Sequence, residues 1–146
     1  MAEYYHLGLL KENRFDPKRK ITEELATWAH KVKFEDLPPE VIDYAKFLTL
    51  DFLASAIPGV TQEGPRIVVN FIKSLNYQGP CTVIGTTLKT GPQYAALSSG
   101  ASTGPYSLDA SHRWAMPGHN ALSTTAAALA MSQVVPTDFR AYVTAL

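Results

Sequence analysis

Between Tyr106 and Leu122 the chain reads YSLDASHRWAMPGHNAL, a Pro- and Gly-punctuated stretch that holds Asp109, His112 and His119, which can give or take protons, and Arg113, a permanent cation. A carboxylate and an imidazole are the parts of a general acid–base pair. A guanidinium beside a second imidazole can cradle a substrate carboxylate. His119 is the candidate acid or base, because an imidazole titrates nearest neutral pH, and Asp109 would orient it or hold the substrate. Arg113 and His112 are the candidate substrate binders, Arg113 because it stays charged at any working pH. Chemistry for such a set is elimination, decarboxylation, isomerisation or assisted cyclisation, each needing a placed base and a stabilised enolate-like charge. The same residues also suit a polar loop whose histidines are solvated or cap a helix, and residue content alone leaves both readings open.

Composition removes other classes of function. Thirteen basic against thirteen acidic side chains, with no polybasic face, argue against a nucleic-acid or anionic-membrane partner. The four histidines lack His-x-x-x-His spacing and no cysteine cluster supports them, so neither a metal nor another cofactor is expected. Cys81 is the single cysteine, set in the apolar run CTVIG without a basic neighbour, which predicts a buried, inert thiol and a reducing compartment. Glu3, Glu12 and Asp16 interrupt any presequence pattern, and no apolar run approaches the ~20 residues of a membrane span, so the expected location is the cytoplasm.

The elements that must position the loop are helical. Residues 1–20 read as an N-terminal arm. A first helix follows from Ile21, with Thr22 as its cap and Leu25, Trp28, Ala29 and Val32 on a core-facing side. Pro39 opens a second helix, in which Val41, Ala45, Leu48, Phe52 and Ala56 form one stripe. Ile42, Leu50, Leu53 and Ile57 widen that stripe nearly all round, which predicts the central helix, ended by Pro58 and Gly59. A third helix, about Pro65 to Leu75, is expected to pack on the second. The stretch TVIGTTLKTG gives at most a short β-hairpin near 82–88. Pro92 leads into a small-residue helix whose Gly100 suggests close packing. Beyond the loop, Asn120 to Gln133 and the segment after Pro136 are helical, the last with Phe139, Tyr142, Val143 and Leu146 apolar. Ala, Ser, Thr and Gly dominate both flanks of the loop, so backbones there can approach closely. The expected fold class is all-α, a helical bundle in one domain.

Three phrases in this order, TEELATWAHKVKFEDLPPEVIDYAKFLTLDFLASAIPG, TVIGTTLKTGPQYAALSSGAS and SLDASHRWAMPGH, resemble the N-terminal helical part of the MmgE/PrpD family. That family includes 2-methylcitrate dehydratase and cis-aconitate decarboxylase. The resemblance covers roughly Ile21 to Leu146. It implies that Asp109 and His119, ten positions apart as in the family loop, line an active site for a small organic acid or related enolisable metabolite. It also implies a homodimer, because subunits of the family meet through the helical domain. The loop departs from the family pattern at Arg113, where a threonine is usual, and in having Ala110, Ser111 and His112 in place of further acidic residues. The family's active-site lysines and second α/β domain lie beyond the matching part. Residues 21–146 are therefore expected to be a truncated MmgE/PrpD-like helical domain. It would be either a repurposed lyase, isomerase or cyclase, or a non-catalytic remnant acting as a binding or assembly module with a longer family member.

Overall fold

The computed structural model describes residues 20–108, 110 and 119–146, and the chain divides between Lys33 and Phe34 into two units. The arm, apart from Lys20, and Asp109, His112 and Arg113 lie outside the described residues. In the first unit, α1 spans Ile21–Lys31. Glu23 and Glu24 occupy its first turn and His30 and Lys31 its last, each sign opposite to the nearby end of the helix dipole. Two expectations fail here. Lys20, not Thr22, is the N-cap, and it makes no side-chain capping bond. No residue of α1 is buried, with Leu25 59% and Trp28 65% exposed. Apolar spacing marks the face that a helix can bury but does not supply the surface that covers it.

The second unit is all-α with one short hairpin. A 3-10 turn, Phe34–Asp36, precedes α2, Pro39–Gly59. Pro39 sits at the first helical position, where its missing N–H breaks no bond. α3 spans Glu63–Ser74, and strands β1 (Cys81–Thr82) and β2 (Lys89–Thr90) pair antiparallel, Cys81 opposite Thr90. Residues 83–88 make the turn: Val83 N–H donates to Leu88 O, Thr86 Oγ1 bonds both Val83 O and the Leu88 amide, and Gly85 takes a φ of 75° that disfavours a side chain. α4 spans Pro92–Thr103, a 3-10 turn follows at Gly104–Tyr106, and α5 (Asn120–Met131) and α6 (Phe139–Ala145) complete the unit.

The centre of this unit is α4, not α2. α4 packs against α2, α3, α5 and both strands, and its pairing with α5 is the most extensive between described elements. Its buried residues are Ala95, Ser98, Ser99, Ser102 and Thr103. Ser102 and Thr103 can be buried here because the helix satisfies their hydroxyls itself: Ser102 Oγ donates to Ser98 O and Thr103 Oγ1 to Gly100 O, both at 2.7 Å. α2 buries only one side, through Ala45, Phe52, Ser55, Ala56 and Gly59. Val41, Tyr44, Phe47, Leu50 and Ile57 remain exposed. α3 packs on α4 rather than on α2, with Val69 in a cluster with Val60 and Val83.

The glycine that permits close approach is also not the expected one. A Cβ on Gly100 would stand 3.8 Å from the Ala126 methyl, an ordinary contact, whereas one on Gly59 would overlap the Ser102 carbonyl. Phe52 and Ala56 of α2 meet Ala126 of α5 in a second cluster, and Cys81, Ala95 and Ala130 form a third. α6 is fastened at both ends of its first turn. Asp138 Oδ1 caps it by accepting Ala141 N–H at 2.8 Å, Arg140 pairs with Glu35 at 2.6 Å, and Phe139 meets Phe34 edge to face.

Candidate functional site

The loop is held from described elements on both sides. On the entry side, the 3-10 turn Gly104–Tyr106 closes with Ser107 N–H donating to Gly104 O, and Ser107 itself adopts a left-handed φ of 49°. Gln62 Nε2, just before α3, donates to the Tyr106 hydroxyl at 2.7 Å. The entry is thus tied to the residue that opens α3. On the exit side, His119 is the N-cap of α5, its carbonyl accepting Leu122 N–H at 3.1 Å, and its ring is exposed and makes no capping bond. α5 then runs back along α4, so the two ends of the loop belong to the best-packed helix pair in the unit.

A further attachment lies inside the loop. Asp51, on α2, accepts the backbone N–H of Ala110 at 3.0 Å through Oδ2, across 59 residues of sequence. Sequence reasoning passed over Asp51, yet a signal was present: it is the only charged residue between Phe47 and Gln62, in an otherwise apolar or neutral run. A lone carboxylate on a half-buried helix must find donors to offset its lost hydration, and here a donor comes from the loop.

Of the four sequence candidates, His119 falls among the described residues; Asp109 is followed directly by Ala110, whose backbone is fixed as above. Clefts lined by described residues include one of about 440 Å³ with Arg66, Asn70 and Lys73 on its wall and one of about 260 Å³ between α5 and α6. Neither is lined by His119 or Ala110. Cys81 is fully buried, a free thiol directed at Ala130 O at 3.4 Å, and burial raises its pKa, as expected for an inert thiol. Burial likewise raises the Tyr142 pKa, partly offset by its hydrogen bond to Thr49. Among the described residues no group of three or more His, Cys, Asp or Glu could hold a metal ion, and no helix is long and apolar enough to cross a membrane.

A helical unit whose α4–α5 pair presents this loop agrees with the family comparison: residues 23–146 match the MmgE/PrpD N-terminal domain, and the chain belongs to that family. It is 34% identical over 118 residues to the cis-aconitate decarboxylase of Aspergillus terreus, a match that covers 81% of this chain and 24% of that protein. It is 32% identical over 118 residues, with the same coverage, to the cis-aconitate decarboxylase-like protein oryM of Aspergillus oryzae. The chain thus spans about a quarter of the length of these curated relatives. No solved structure matches.

Proposed function

We propose that the loop carries the acid–base pair of an MmgE/PrpD-type lyase acting on a small organic acid, with His119 moving the proton, Asp109 orienting it, and Arg113 and His112 holding a substrate carboxylate. The observation that carries this reading is that the family match runs through the whole loop, including both Asp109 and His119. Decarboxylation of an unsaturated polycarboxylic acid is the favoured reaction, since two similar proteins are named cis-aconitate decarboxylase and decarboxylase-like. In such a step the C–C bond to one carboxylate breaks, CO2 leaves, the electron pair stays on the carbon skeleton, and the acid returns a proton to carbon. Arg113 would stabilise the charge that builds up on the remaining carboxylate. The partly positive amides at the start of α5, next to His119, would favour the same anion.

The test is turnover of cis-aconitate by the purified chain, alone and mixed with a full-length family member. His119→Ala and Asp109→Asn should each lower turnover about 100-fold or more, the usual scale for losing a placed acid or base, with the helical circular dichroism unchanged. Activity that survives both substitutions overturns the assignment. A second reading, a non-catalytic module that assembles with a longer relative, is favoured by the exposed apolar side of α2. It predicts no turnover by the chain alone and co-elution with the longer protein. We further propose a homodimer, and the cytoplasm as the site of action, the latter supported by a free buried thiol as the single cysteine.

A further inference from the structure

The bond between Asp51 and Ala110 joins the longest described helix to the residue that follows Asp109, and its geometry points to a role for a side chain far from the loop in sequence. We propose that Asp51 is a positioning residue: its carboxylate fixes the loop backbone at the Ala110 N–H. The functional part of this proposal rests on the acid–base reading above.

A 3.0 Å bond from the Ala110 N–H to a carboxylate on a packed helix anchors the loop backbone at the residue that follows Asp109 in sequence. The helix is suited to this duty. Asp51 directly precedes Phe52, which is 1% exposed, and Ser55 and Ala56, one turn on, are also buried, so the point of attachment is held by the core. The residue type fits as well. An amide side chain could accept the same bond without desolvating a charge, whereas a carboxylate accepts with roughly twice the strength of a neutral oxygen. Asp138 makes the same kind of bond, carboxylate to backbone N–H, at the cap of α6, where it serves a helix end. Asp51 makes it in mid-helix, where no amide of its own helix is open, and so serves another segment.

The test compares the 146-residue chain with its Asp51→Ala, Asp51→Asn and Asp138→Ala variants. Amide hydrogen exchange at Ala110 is read by nuclear magnetic resonance beside turnover of cis-aconitate. Asp51→Ala should speed exchange at Ala110 at least tenfold while core amides of α4 keep their protection, and should lower kcat by about 10- to 100-fold with little change in KM, the penalty for a misplaced catalytic group. Asp51→Asn, which can still accept the bond, should recover most of both and serves as the readout if the alanine variant does not fold. Asp138→Ala should leave Ala110 exchange and turnover as they were. Unchanged exchange at Ala110 in Asp51→Ala, or in Asp51→Asn an Ala110 amide as unprotected as a free loop, overturns the attachment. Faster exchange with undiminished kcat overturns the positioning role. Loss of turnover in Asp51→Ala but not in Asp109→Asn overturns the acid–base reading instead and leaves the attachment standing.

Discussion

Two hydroxyls show what a single atom contributes at the residue scale. Ser98 Oγ and Thr125 Oγ1 are buried without a hydrogen-bond partner in the tight α4–α5 region, while Ser102 and Thr103 nearby are satisfied by their own helix. A buried, unpaired hydroxyl forfeits its hydration for nothing, so Thr125→Val, which keeps the shape, should raise stability by about 1 kcal/mol in urea unfolding. A loss of that size would mean that the hydroxyl has a partner. Cys81 gives a pH-dependent counterpart. Its thiol, held neutral by burial, keeps its proton in the folded chain, whereas the unfolded chain releases it above about pH 9. The unfolded state then binds fewer protons, so this contribution is intact below that pH and declines as pH rises further. Urea midpoints measured at pH 8 and pH 10 should therefore differ less in Cys81→Ala than in the parent, the remaining loss including that from Tyr142, whose pKa is also raised.

At the scale of elements, the approach of α2 to α4 depends on the absence of one carbon atom. Gly59 lies against the Ser102 backbone, which cannot move without displacing the helix that leads into the loop. Gly59→Ala should therefore destabilise the chain by about 3 kcal/mol or more, an overpacking penalty at a rigid contact. Gly64, in the first turn of α3, has nothing within 4 Å of a Cβ position, and Gly64→Ala should instead stabilise by about 0.5–1 kcal/mol through lower backbone entropy in the unfolded state. Thermal unfolding of the two variants side by side checks both, and equal effects would remove the close-approach argument. The link between Tyr142 and Thr49, 2.9 Å between hydroxyl oxygens, shows how α6 is drawn onto α2 and why Tyr142 is less available to a partner than its apolar position suggests.

For the whole molecule, the surface to explain is the broad side of α2 that carries Tyr44, Phe47, Leu50 and Ile57, of which Phe47 is 66% exposed. Large apolar side chains grouped on one helix face mark an association surface, and self-pairing is the simplest way to cover it. Static light scattering at micromolar concentration should give a dimer for the parent chain and a monomer for Phe47→Glu. A monomeric parent would overturn the dimer. The apolar residues Phe139, Tyr142 and Leu146 make a less favoured dimer surface, because Phe139 already meets Phe34 and Tyr142 is bonded to Thr49.

The helix starts at Pro39 and Pro92 were legible in the sequence because they depend on local chemistry. Pro39 and Pro92 lack an N–H and so open helices, and TVIGTTLKTG has no helical core to offer and so turns back as a hairpin. The loop and its Asp109/His119 spacing were legible as composition and as family resemblance. Tertiary structure alone decided which helix is central, because apolarity describes what a side chain gains on burial and says nothing of how closely two backbones can approach. α2 has the more apolar sequence, but Val41, Tyr44, Phe47, Leu50 and Ile57 on it stay exposed. α4, of Ala and Ser, lets α2, α3 and α5 all come near. The attachment of Asp51 to Ala110 was likewise beyond the sequence: the lone charge announced that a donor was required, and only the fold, by bringing together residues 59 positions apart, determined which.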